Sequence, residues 1–346
     1  MIKLSVIIPI YNTPAPLLDH CISSIRDNLC LMGDEVEVLM INDGSIESHI
    51  EPMLKAEETA DSRFKYVYKD NSGVSMTRNL GIEMAQGEYI TFIDADDYFE
   101  PDALFYMLQT AMRTDVDMVM FGFCRNDVDV KERKSFKQRF DVNKEIIQTL
   151  ISNNMQWWYS RGTNLASVWA KVYKREKLLI HHISFIQDIA PNEDGYFNLY
   201  LLSKIPTFYV DNTLVYHYVI YACSAIHKFS NCDIRIGKNI LPRLEEIADN
   251  YGEVDDFATS ISYRALKIIM SAKQSYFTHP QNTKSFKELK TEMNEFLSEP
   301  IINKWIKRFR LRNVRSKMEL KNIILLKLRL YSIVLIVDRC KRWINR

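Results

Sequence analysis

The sequence lacks long apolar runs, paired cysteine motifs and segments rich in glycine or proline. No uncharged apolar stretch reaches the roughly 18–20 residues that a membrane-spanning helix needs. The six cysteines occur without CxxC spacing, which predicts neither a zinc site nor a disulfide framework. Only ten glycines and ten prolines are present in 346 residues, so a fibrous or low-complexity chain is excluded. These absences favour a globular protein of the reducing cytoplasm, with one large domain or two smaller ones.

The N-terminus also lacks the pattern of a signal peptide. Its apolar run, Leu4–Ile10, is interrupted by Ser5 and Pro9, and no cleavage site follows it. We therefore interpret this run as a first strand rather than as a targeting segment.

Short apolar runs alternate with helical patterns over the first 125 residues. Runs rich in Val, Ile and aromatic residues predict buried strands at 4–10, 36–41, 64–68, 89–93 and 118–123. The patterns between them predict helices at 17–29, 50–59, 74–84 and 101–112. This alternation predicts an α/β fold with a mostly parallel sheet covered by helices on both faces. In such sheets, ligands bind at the carboxyl ends of the strands.

The regular alternation ends near residue 126. A charged stretch at 128–139 predicts an exposed loop or hairpin, and further elements follow: helices at 144–153 and 196–202, and a strand at 214–221. Beyond Asp233 the pattern is helical throughout. We therefore predict a first domain at 1–225, with halves at 1–125 and 126–225, followed by a helical extension at 226–346.

Three carboxylates follow the fourth predicted strand directly, in the run Asp94-Ala95-Asp96-Asp97. Clustered carboxylates at a strand end suit Mg²⁺ or Mn²⁺ carrying a phosphate-bearing substrate. Two other Asp-x-Asp triplets, at 115–117 and 127–129, are interpreted as ordinary strand-edge and loop acids. Asn12 and Asp43 also follow predicted strands, so we expect them to meet the acidic run in one crevice.

Four segments in this order resemble the family 2 inverting glycosyltransferases, which have the GT-A nucleotide-sugar fold. They are 5–12 (SVIIPIYN), 41–45 (INDGS), 71–79 (NSGVSMTRN) and 93–97 (IDADD). Each segment is degenerate alone, whereas the ordered set is specific. The resemblance covers residues 1 to about 225.

This resemblance implies a set of residues that bind the donor: Pro9, Tyr11, Asn12, Asp43, Asn71, Arg78 and Asp94. The ring of Tyr11 would stack on uracil, and Asp43 would accept a hydrogen bond from the uracil N–H. The alternative for Asp43 is an N-cap for the helix after Ser45. Arg78 would pair with a phosphate, and its alternative is a solvated arginine on a helix surface.

Within the acidic run, the resemblance implies that Asp96 is a direct ligand of Mg²⁺ or Mn²⁺. Asp94 would contact the ribose or the outer shell of the metal, and Asp97 is interpreted as a possible cap of the next helix. A metal here would act as a Lewis acid and stabilise the departing nucleoside diphosphate. The alternative is a solvated turn of acids.

Inverting transfer also needs a base, and the pair Glu193-Asp194 matches the acidic pair of the family. We expect Asp194 to be the base and Glu193 to position it, because a helix N-terminus favours an ionised carboxylate. Either residue is alternatively a capping acid. Trp169 and Lys171 match a segment on the acceptor side, and the alternative for Trp169 is that it belongs to the core. The family has Arg where this chain has Val219, so a phosphate contact from that site is in doubt.

The C-terminal segment is strongly basic. Residues 301–346 contain 14 Lys and Arg and two acids, a net charge of +12, whereas residues 1–300 carry a net charge of −11. An apolar stripe and an opposite basic face are predicted on one last helix: Ile323, Leu326, Leu330, Ile333 and Val337 against Lys317, Lys321, Arg339 and Arg342. Such a helix suits an anionic membrane surface, with packing on the chain's own domain or in a homodimer as alternatives.

The sequence thus predicts a metal-dependent glycosyltransferase, using a nucleotide-sugar donor, most simply a UDP-sugar, and transferring a hexosyl or N-acetylhexosaminyl group. The acceptor would be a hydroxyl of a surface polysaccharide or lipid-linked glycan precursor, at the cytoplasmic face of the plasma membrane. The alternatives are a non-catalytic glycan-binding or assembly subunit and a metal-dependent nucleotidyltransferase. No motif indicates a nucleic acid partner. The donor sugar, the acceptor and the linkage are not encoded by any motif.

Overall fold

A computed structural model divides the chain into two compact units. It describes residues 1–126, 134–220, 229–252, 254–310 and 316–331. The first unit comprises residues 1–150, 154–187 and 191–222, and the second comprises residues 151–153, 188–190 and 223–346. The domain boundary predicted at 225/226 falls within 221–228, outside the described residues.

The first unit is built on a nine-stranded mixed sheet. Its strands are β1 (Leu4–Ile10), β2 (Val36–Asp43), β3 (Phe64–Lys69), β4 (Tyr89–Phe92), β5 (Tyr98–Phe99), β6 (Met118–Arg125), β7 (Lys137–Asp141), β8 (Lys171–Lys174) and β9 (Thr207–Tyr218). Their spatial order is β3-β2-β1-β4-β8-β6-β9-β5, and β7 pairs with β9.

Helices connect and flank these strands. They are α1 (Ala15–Leu29), α2 (Ile50–Ala60), α3 (Val74–Met84), α4 (Ala103–Thr114), α5 (Lys144–Ser152), α6 (Gln156–Tyr159), α7 (Arg175–Ile180) and α8 (Glu193–Leu202), with a short 3-10 turn at Gln187–Ile189. The predicted α/β fold is therefore confirmed.

Parallel pairing brings the ends of the first strands to one edge of the sheet. Strand β1 lies between β2 and β4, parallel to both, with Ile10 opposite Asn42 and Ile7 opposite Phe92. All eight residues of β2 are buried, because a central strand covered on both faces has no solvent side. The segments that follow β1, β2 and β4 therefore open on the same edge.

Antiparallel pairs occur beside the parallel pair of β6 and β9 in the second half of the sheet, and the sequence did not predict them. Strand β8 is antiparallel to β4 and β6, and β9 is antiparallel to β5 and β7. Strands β5, β7 and β8 contain only two to five residues, too few to show a period of two. The strand predicted at 214–221 begins earlier, at Thr207, and the helix predicted at 101–112 begins later, at Ala103.

The described part of the second unit is helical, as expected. It contains α9 (Cys232–Tyr251), α10 (Val254–Ala272), a π-helical turn (Lys273–Phe277), α11 (Phe286–Ser298), α12 (Pro300–Arg308) and α13 (Lys317–Lys327). Within the described ranges, no helix combines the length and apolarity that crossing a membrane requires.

The predicted last helix is shorter than expected. Helix α13 ends at Lys327, and Arg329 has a positive φ of 56°, which is incompatible with continuing the helix. Ile323 and Leu326 are 2% and 6% exposed, so this part of the stripe packs inside the unit, whereas Leu330 is 43% exposed. The remaining stripe and basic positions, 333, 337, 339 and 342, lie outside the described residues.

Candidate active site

The ends of β1 and β2 are tied together by Asn12. Its side-chain oxygen accepts a hydrogen bond from the backbone N–H of Ile46 at 2.9 Å, and its own N–H donates to Ser45 Oγ at 3.1 Å. Tyr11, one residue earlier, is 53% exposed, and Pro9 is half-buried within β1. An open aromatic ring thus stands at the strand end where a nucleobase was predicted to stack.

Asp43 holds the loop that leads into α3. Its carboxylate accepts hydrogen bonds from the backbone N–H groups of Ser72 and Gly73, each at 2.9 Å, and pairs with the ammonium of Lys69. The side chain of Asn71 donates to the backbone oxygen of Asp43 at 2.9 Å. The N-cap position of α2 is His49, so the alternative of Asp43 as cap of that helix is wrong.

Gly44 permits this close approach of two loops. Its φ of +68° is a left-handed conformation that residues with a Cβ adopt at a cost, and an added Cβ would lie 2.6 Å from the Asn71 nitrogen. A side chain at this position would therefore displace Asn71 from Asp43.

The acidic run after β4 separates into carboxylates of different environments. Asp97 is 1% exposed and accepts hydrogen bonds from the Tyr216 hydroxyl at 2.5 Å and the Val219 N–H at 2.8 Å. Burial raises the pKa of Asp97 well above its usual range, and the charges of Asp94 and Asp96 add to that effect. Because both its oxygens are engaged, Asp97 joins the turn to the end of β9. The predicted role as a helix cap is wrong, since Asp102 occupies the N-cap of α4.

Arg78 connects this turn to the start of α8. Its Nη2 donates to Asp94 Oδ1 and its Nη1 to Asp194 Oδ1, both at 2.7 Å, and Glu193 lies 3.7 Å away. The residue is 3% exposed, so the alternative of a solvated helix arginine is wrong. Burial opposes the charge of Arg78, but Asp194, Asp94 and Glu193 outweigh it and raise its pKa.

Glu193 and Asp194 open α8 and differ in access to solvent. The Asp194 side chain is 25% exposed and that of Glu193 only 8%. Burial and the charge of Asp194 raise the pKa of Glu193 to about 7. Burial also raises the pKa of Asp194, although Arg78 opposes the shift. At both carboxylates, burial thus opposes the preference of a helix N-terminus for an ionised carboxylate.

The two residues predicted on the acceptor side are both buried. Trp169 is 7% exposed and stacks on Tyr216, with ring centroids 4.9 Å apart. Lys171 is 1% exposed, and its Nζ donates to the backbone oxygens of Asn164 and Ser167, each at 2.6 Å. Trp169 thus supports Tyr216, and Lys171 supports the loop before β8.

Sequence reasoning assigned no role to Tyr216, which stands three residues before Val219 in the family's late motif, and it missed Asn198. The Tyr216 hydroxyl accepts from the Asp94 N–H at 3.2 Å and donates to Asp97, so it fixes the acidic turn. Asn198 lies four residues after Asp194 and therefore on the same helix face, a spacing that pointed to it.

The donor set at the acidic turn fits a divalent cation that also binds phosphate. Asp94 is 29% exposed and Asp96 half-buried, so two carboxylates remain accessible after Asp97 is excluded. Mg²⁺ commonly takes one or two carboxylates and completes its shell with phosphate oxygens and water. In the part of the chain that the structure describes, no three His, Cys, Asp or Glu side chains form a ready metal cluster. Donor phosphates would have to complete the shell.

Comparison with known proteins identifies the family. The family model described as "Glycosyl transferase family 2" matches residues 5–176, about half of the chain. YibD of Escherichia coli (strain K12), named as an uncharacterized glycosyltransferase, is 26% identical over 79% of this chain and 80% of its own length. EpsH and EpsJ of Bacillus subtilis (strain 168), also named as glycosyltransferases, are each 29% identical, over 65% and 56% of this chain. The chain spans 63% and 54% of those two relatives, less than two thirds of each.

The fold has a solved counterpart. Residues 1–349 of S. aureus TarS are 18% identical, with a TM-score of 0.66 over 98% of this chain and 92% of that one. The TarS complex with UDP-GlcNAc gives a TM-score of 0.68 at 17% identity, over 98% of this chain and 92% of that one. The chain belongs to glycosyltransferase family 2 and has the GT-A fold.

Proposed function

We propose that this protein is a metal-dependent inverting glycosyltransferase that uses a UDP-sugar donor. It transfers one hexosyl or N-acetylhexosaminyl group to a hydroxyl of a surface polysaccharide or lipid-linked glycan precursor. The observation that carries the proposal is the bridge made by Arg78 between Asp94 and Asp194. Arg78 thus joins two groups. One is the acidic turn after β4, which suits a metal-bound diphosphate, and the other is the partly exposed carboxylate of Asp194, which suits activation of an acceptor hydroxyl.

Asp194 is proposed as the general base. It takes the proton of the acceptor hydroxyl while that oxygen forms a bond to the anomeric carbon, and the bond from that carbon to the phosphate oxygen breaks. The sugar inverts, and the nucleoside diphosphate leaves with the bonding electrons. A raised pKa favours this role, because a base works best when its pKa approaches the working pH. The buried Glu193 is proposed to position the pair rather than to meet the acceptor.

Asp96 and Asp94 are the proposed metal ligands, and Arg78 is proposed to turn toward the diphosphate. A divalent cation, when bound, would stabilise the charge that develops on the leaving group. Pro9, Tyr11, Asn12, Asp43 and Asn71 are proposed to bind the nucleoside. The solved complex of TarS with UDP-GlcNAc supports a uridine donor, and the open ring of Tyr11 supports nucleobase stacking.

We also propose that the basic second unit meets an anionic membrane surface, at the inner face of the plasma membrane. A cavity of about 560 Å³ in this unit is lined by Lys307, Lys327 and Arg329 without an acidic residue. In the described ranges, none of these three cations pairs with a carboxylate. Sedimentation with anionic but not neutral vesicles is expected, and the K307Q/K327Q/R329Q variant should lose it. Equal sedimentation of variant and wild type would contradict this proposal.

A donor screen tests the catalytic proposal. Binding and turnover of a panel of nucleotide sugars would be measured with Mg²⁺ and Mn²⁺, for wild type, Asp96→Asn and Asp194→Asn. We expect Asp194→Asn to lower transfer by about 10²–10⁴-fold with little change in donor affinity. Asp96→Asn should weaken metal-dependent donor binding and lower transfer by about 100-fold.

The chain supplies a matched control for the acidic turn. Asp115 belongs to another Asp-x-Asp triplet, is 79% exposed and pairs with Lys174 at the surface. Asp115→Asn should therefore retain donor binding and transfer. If Asp96→Asn behaves like Asp115→Asn, the metal assignment is wrong. Donor binding without turnover in wild type would favour the non-catalytic subunit, and release of pyrophosphate from a nucleoside triphosphate would favour the nucleotidyltransferase.

A further inference from the structure

The ammonium of Lys171 is fully engaged inside the protein. Its Nζ donates to the backbone oxygens of Asn164 and Ser167 and lies 3.3 Å from Ser167 Oγ. An ammonium has three N–H donors, so three acceptors use all of them. The residue is 1% exposed at the start of β8. No N–H of Lys171 remains to bind the sugar acceptor. A contribution of Lys171 to transfer must therefore act through the loop that it holds.

That loop lies beside the helix that carries the proposed base. The backbone N–H of Val168 lowers the pKa of Asp194. From the other side, Asn198 of α8 donates from Nδ2 to the backbone oxygen of Ser167 at 2.6 Å. The loop is therefore held between Lys171 and Asn198, and Asn198 lies one turn after Asp194 on α8.

The conformation of this loop depends on side-chain support. Ala170, directly before Lys171, has a φ of +52°, in a region that residues with a Cβ rarely adopt. The Tyr173 hydroxyl lies 2.8 Å from Asn198 Oδ1 and 3.3 Å from the backbone oxygen of Val168. A strained backbone persists only where its surroundings impose it, and here buried hydrogen bonds do so.

We propose that Lys171 is a positioning residue for transfer: it fixes residues 164–167 against Asn198, and so holds the first turn of α8, with Asp194, in its reactive orientation. The proposal rests on the proposed function of Asp194 as base. Burial lowers the pKa of Lys171 to about 7, and the charge of Asp194 opposes that shift. The charged or titratable groups that face Asp194 from the surrounding elements are Arg78 of α3, Asp94 after β4, Lys171 and Tyr173 of β8, and Glu193 of α8.

The test compares Lys171→Met with Lys174→Met. Methionine keeps a long unbranched side chain and removes all three donors at position 171. Lys174 lies on the same strand, and its ammonium pairs at the surface with Asp115 at 3.1 Å, so it controls for the loss of a lysine from β8. We expect Lys171→Met to lower kcat about 10–100-fold with the Kd for UDP unchanged within about twofold, because small misplacements of a reacting group cost this much. Lys174→Met should keep the wild-type kcat within about twofold.

The pH profile supplies a readout that a general loss of structure would not move. Burial raises the pKa of Asp194, and Arg78, Lys171 and the Val168 N–H oppose the rise. Lys171→Met removes one of these groups and loosens another, so the acidic limb of kcat/KM should move to higher pH. The proposal is overturned if a folded Lys171→Met protein keeps both the kcat and the acidic limb of Lys174→Met, or if its loss lies in UDP affinity.

A second variant covers the case in which Lys171→Met fails to fold. Asn198→Ala releases the same loop from the α8 side and should also lower kcat, by about 5–50-fold, at unchanged UDP affinity. A folded Asn198→Ala protein with wild-type kcat overturns the proposal. Asp194→Asn separates the two levels of inference. If that variant transfers sugar normally, the base assignment itself is wrong, whereas an inactive Asp194→Asn with a fully active Lys171→Met rejects only the positioning role.

Discussion

The two ends of the proposed donor site are built in opposite ways. At the nucleobase end, the carboxylate of Asp43 meets backbone N–H groups 29 and 30 positions away, in the neighbouring connection of the sheet. At the transfer end, Arg78 meets Asp194 from 116 positions away, and charged side chains face one another. The first end is formed by local backbone, and the second by buried charges from distant parts of the chain.

This difference predicts different responses to substitution. A carboxylate that accepts backbone N–H bonds keeps them when a neighbouring side chain is removed. A largely buried charge that loses its partner is poorly compensated, since little water reaches it. Substitutions at the transfer end should therefore lower the free energy of unfolding more. Substitutions at the nucleobase end should mainly weaken nucleotide binding.

The largest effect is expected from Arg78→Met. Removing the guanidinium leaves Asp94, Glu193 and Asp194 facing one another without a cation, which should lower the free energy of unfolding by about 3–5 kcal/mol. Lys69→Met is the matched change at the other end, because Lys69 is partly exposed and Asp43 keeps its backbone donors. Chemical denaturation of both variants checks this order. Equal destabilisation would break the contrast between the two ends.

A smaller effect is expected from Glu193, which should make the free energy of unfolding depend on pH. Its pKa of about 7 lies above the ordinary value, so its favourable contribution is complete below about pH 4 and is lost as the pH rises through 7. Glu193→Gln removes this dependence. Between pH 5 and 8, wild type should lose on the order of 3 kcal/mol of unfolding free energy relative to the variant.

Thermal unfolding of both proteins at the two pH values measures that loss. Because the charge of Asp194 helps to raise the pKa of Glu193, the dependence should shrink in an Asp194→Asn background. A difference between wild type and Glu193→Gln that stays constant with pH would show that Glu193 is ionised throughout this range.

The smallest effect on stability is expected from Gly44→Ala. A Cβ there meets Asn71 at 2.6 Å, so we expect a loss of about 2 kcal/mol and a weaker Kd for UDP, with kcat at saturating donor nearly unchanged. Gly33 has a similar φ of +55° but no atom within 4 Å of an added Cβ. Gly33→Ala therefore measures the cost of the backbone strain alone, without a steric clash. Equal UDP affinity in the two variants would show that Gly44 does not shape the nucleobase end.

The same contrast explains what the sequence could predict. Strand β1 and helix α3 were predicted with the bounds that the structure has, because a mostly apolar run and an amphipathic pattern define them. Asn12, Asp43 and Asp94 were expected on one edge, since parallel strands bring their carboxyl ends together. This reasoning needs only the position of each residue after its strand.

The rest depended on contacts that no local pattern records. The pairing of Arg78 with Asp194 requires the antiparallel insertion of β8, a strand of four residues, and the packing of α8. Likewise, Asp97 differs from Asp96 only because the end of β9 covers it, through Tyr216 and Val219. Residue type and spacing do not distinguish Asp96 from Asp97. The difference in burial does.

The arrangement around Arg78 has a consequence for synthesis on the ribosome. The first 125 residues contain six of the nine strands and an apolar core, yet Glu193 and Asp194, two of the three acids facing the guanidinium, are translated much later. Until then, burying Arg78 would leave it with Asp94 alone, which opposes final packing. The first 125 residues are thus expected to remain incompletely packed during elongation and to pack fully only when α8 emerges.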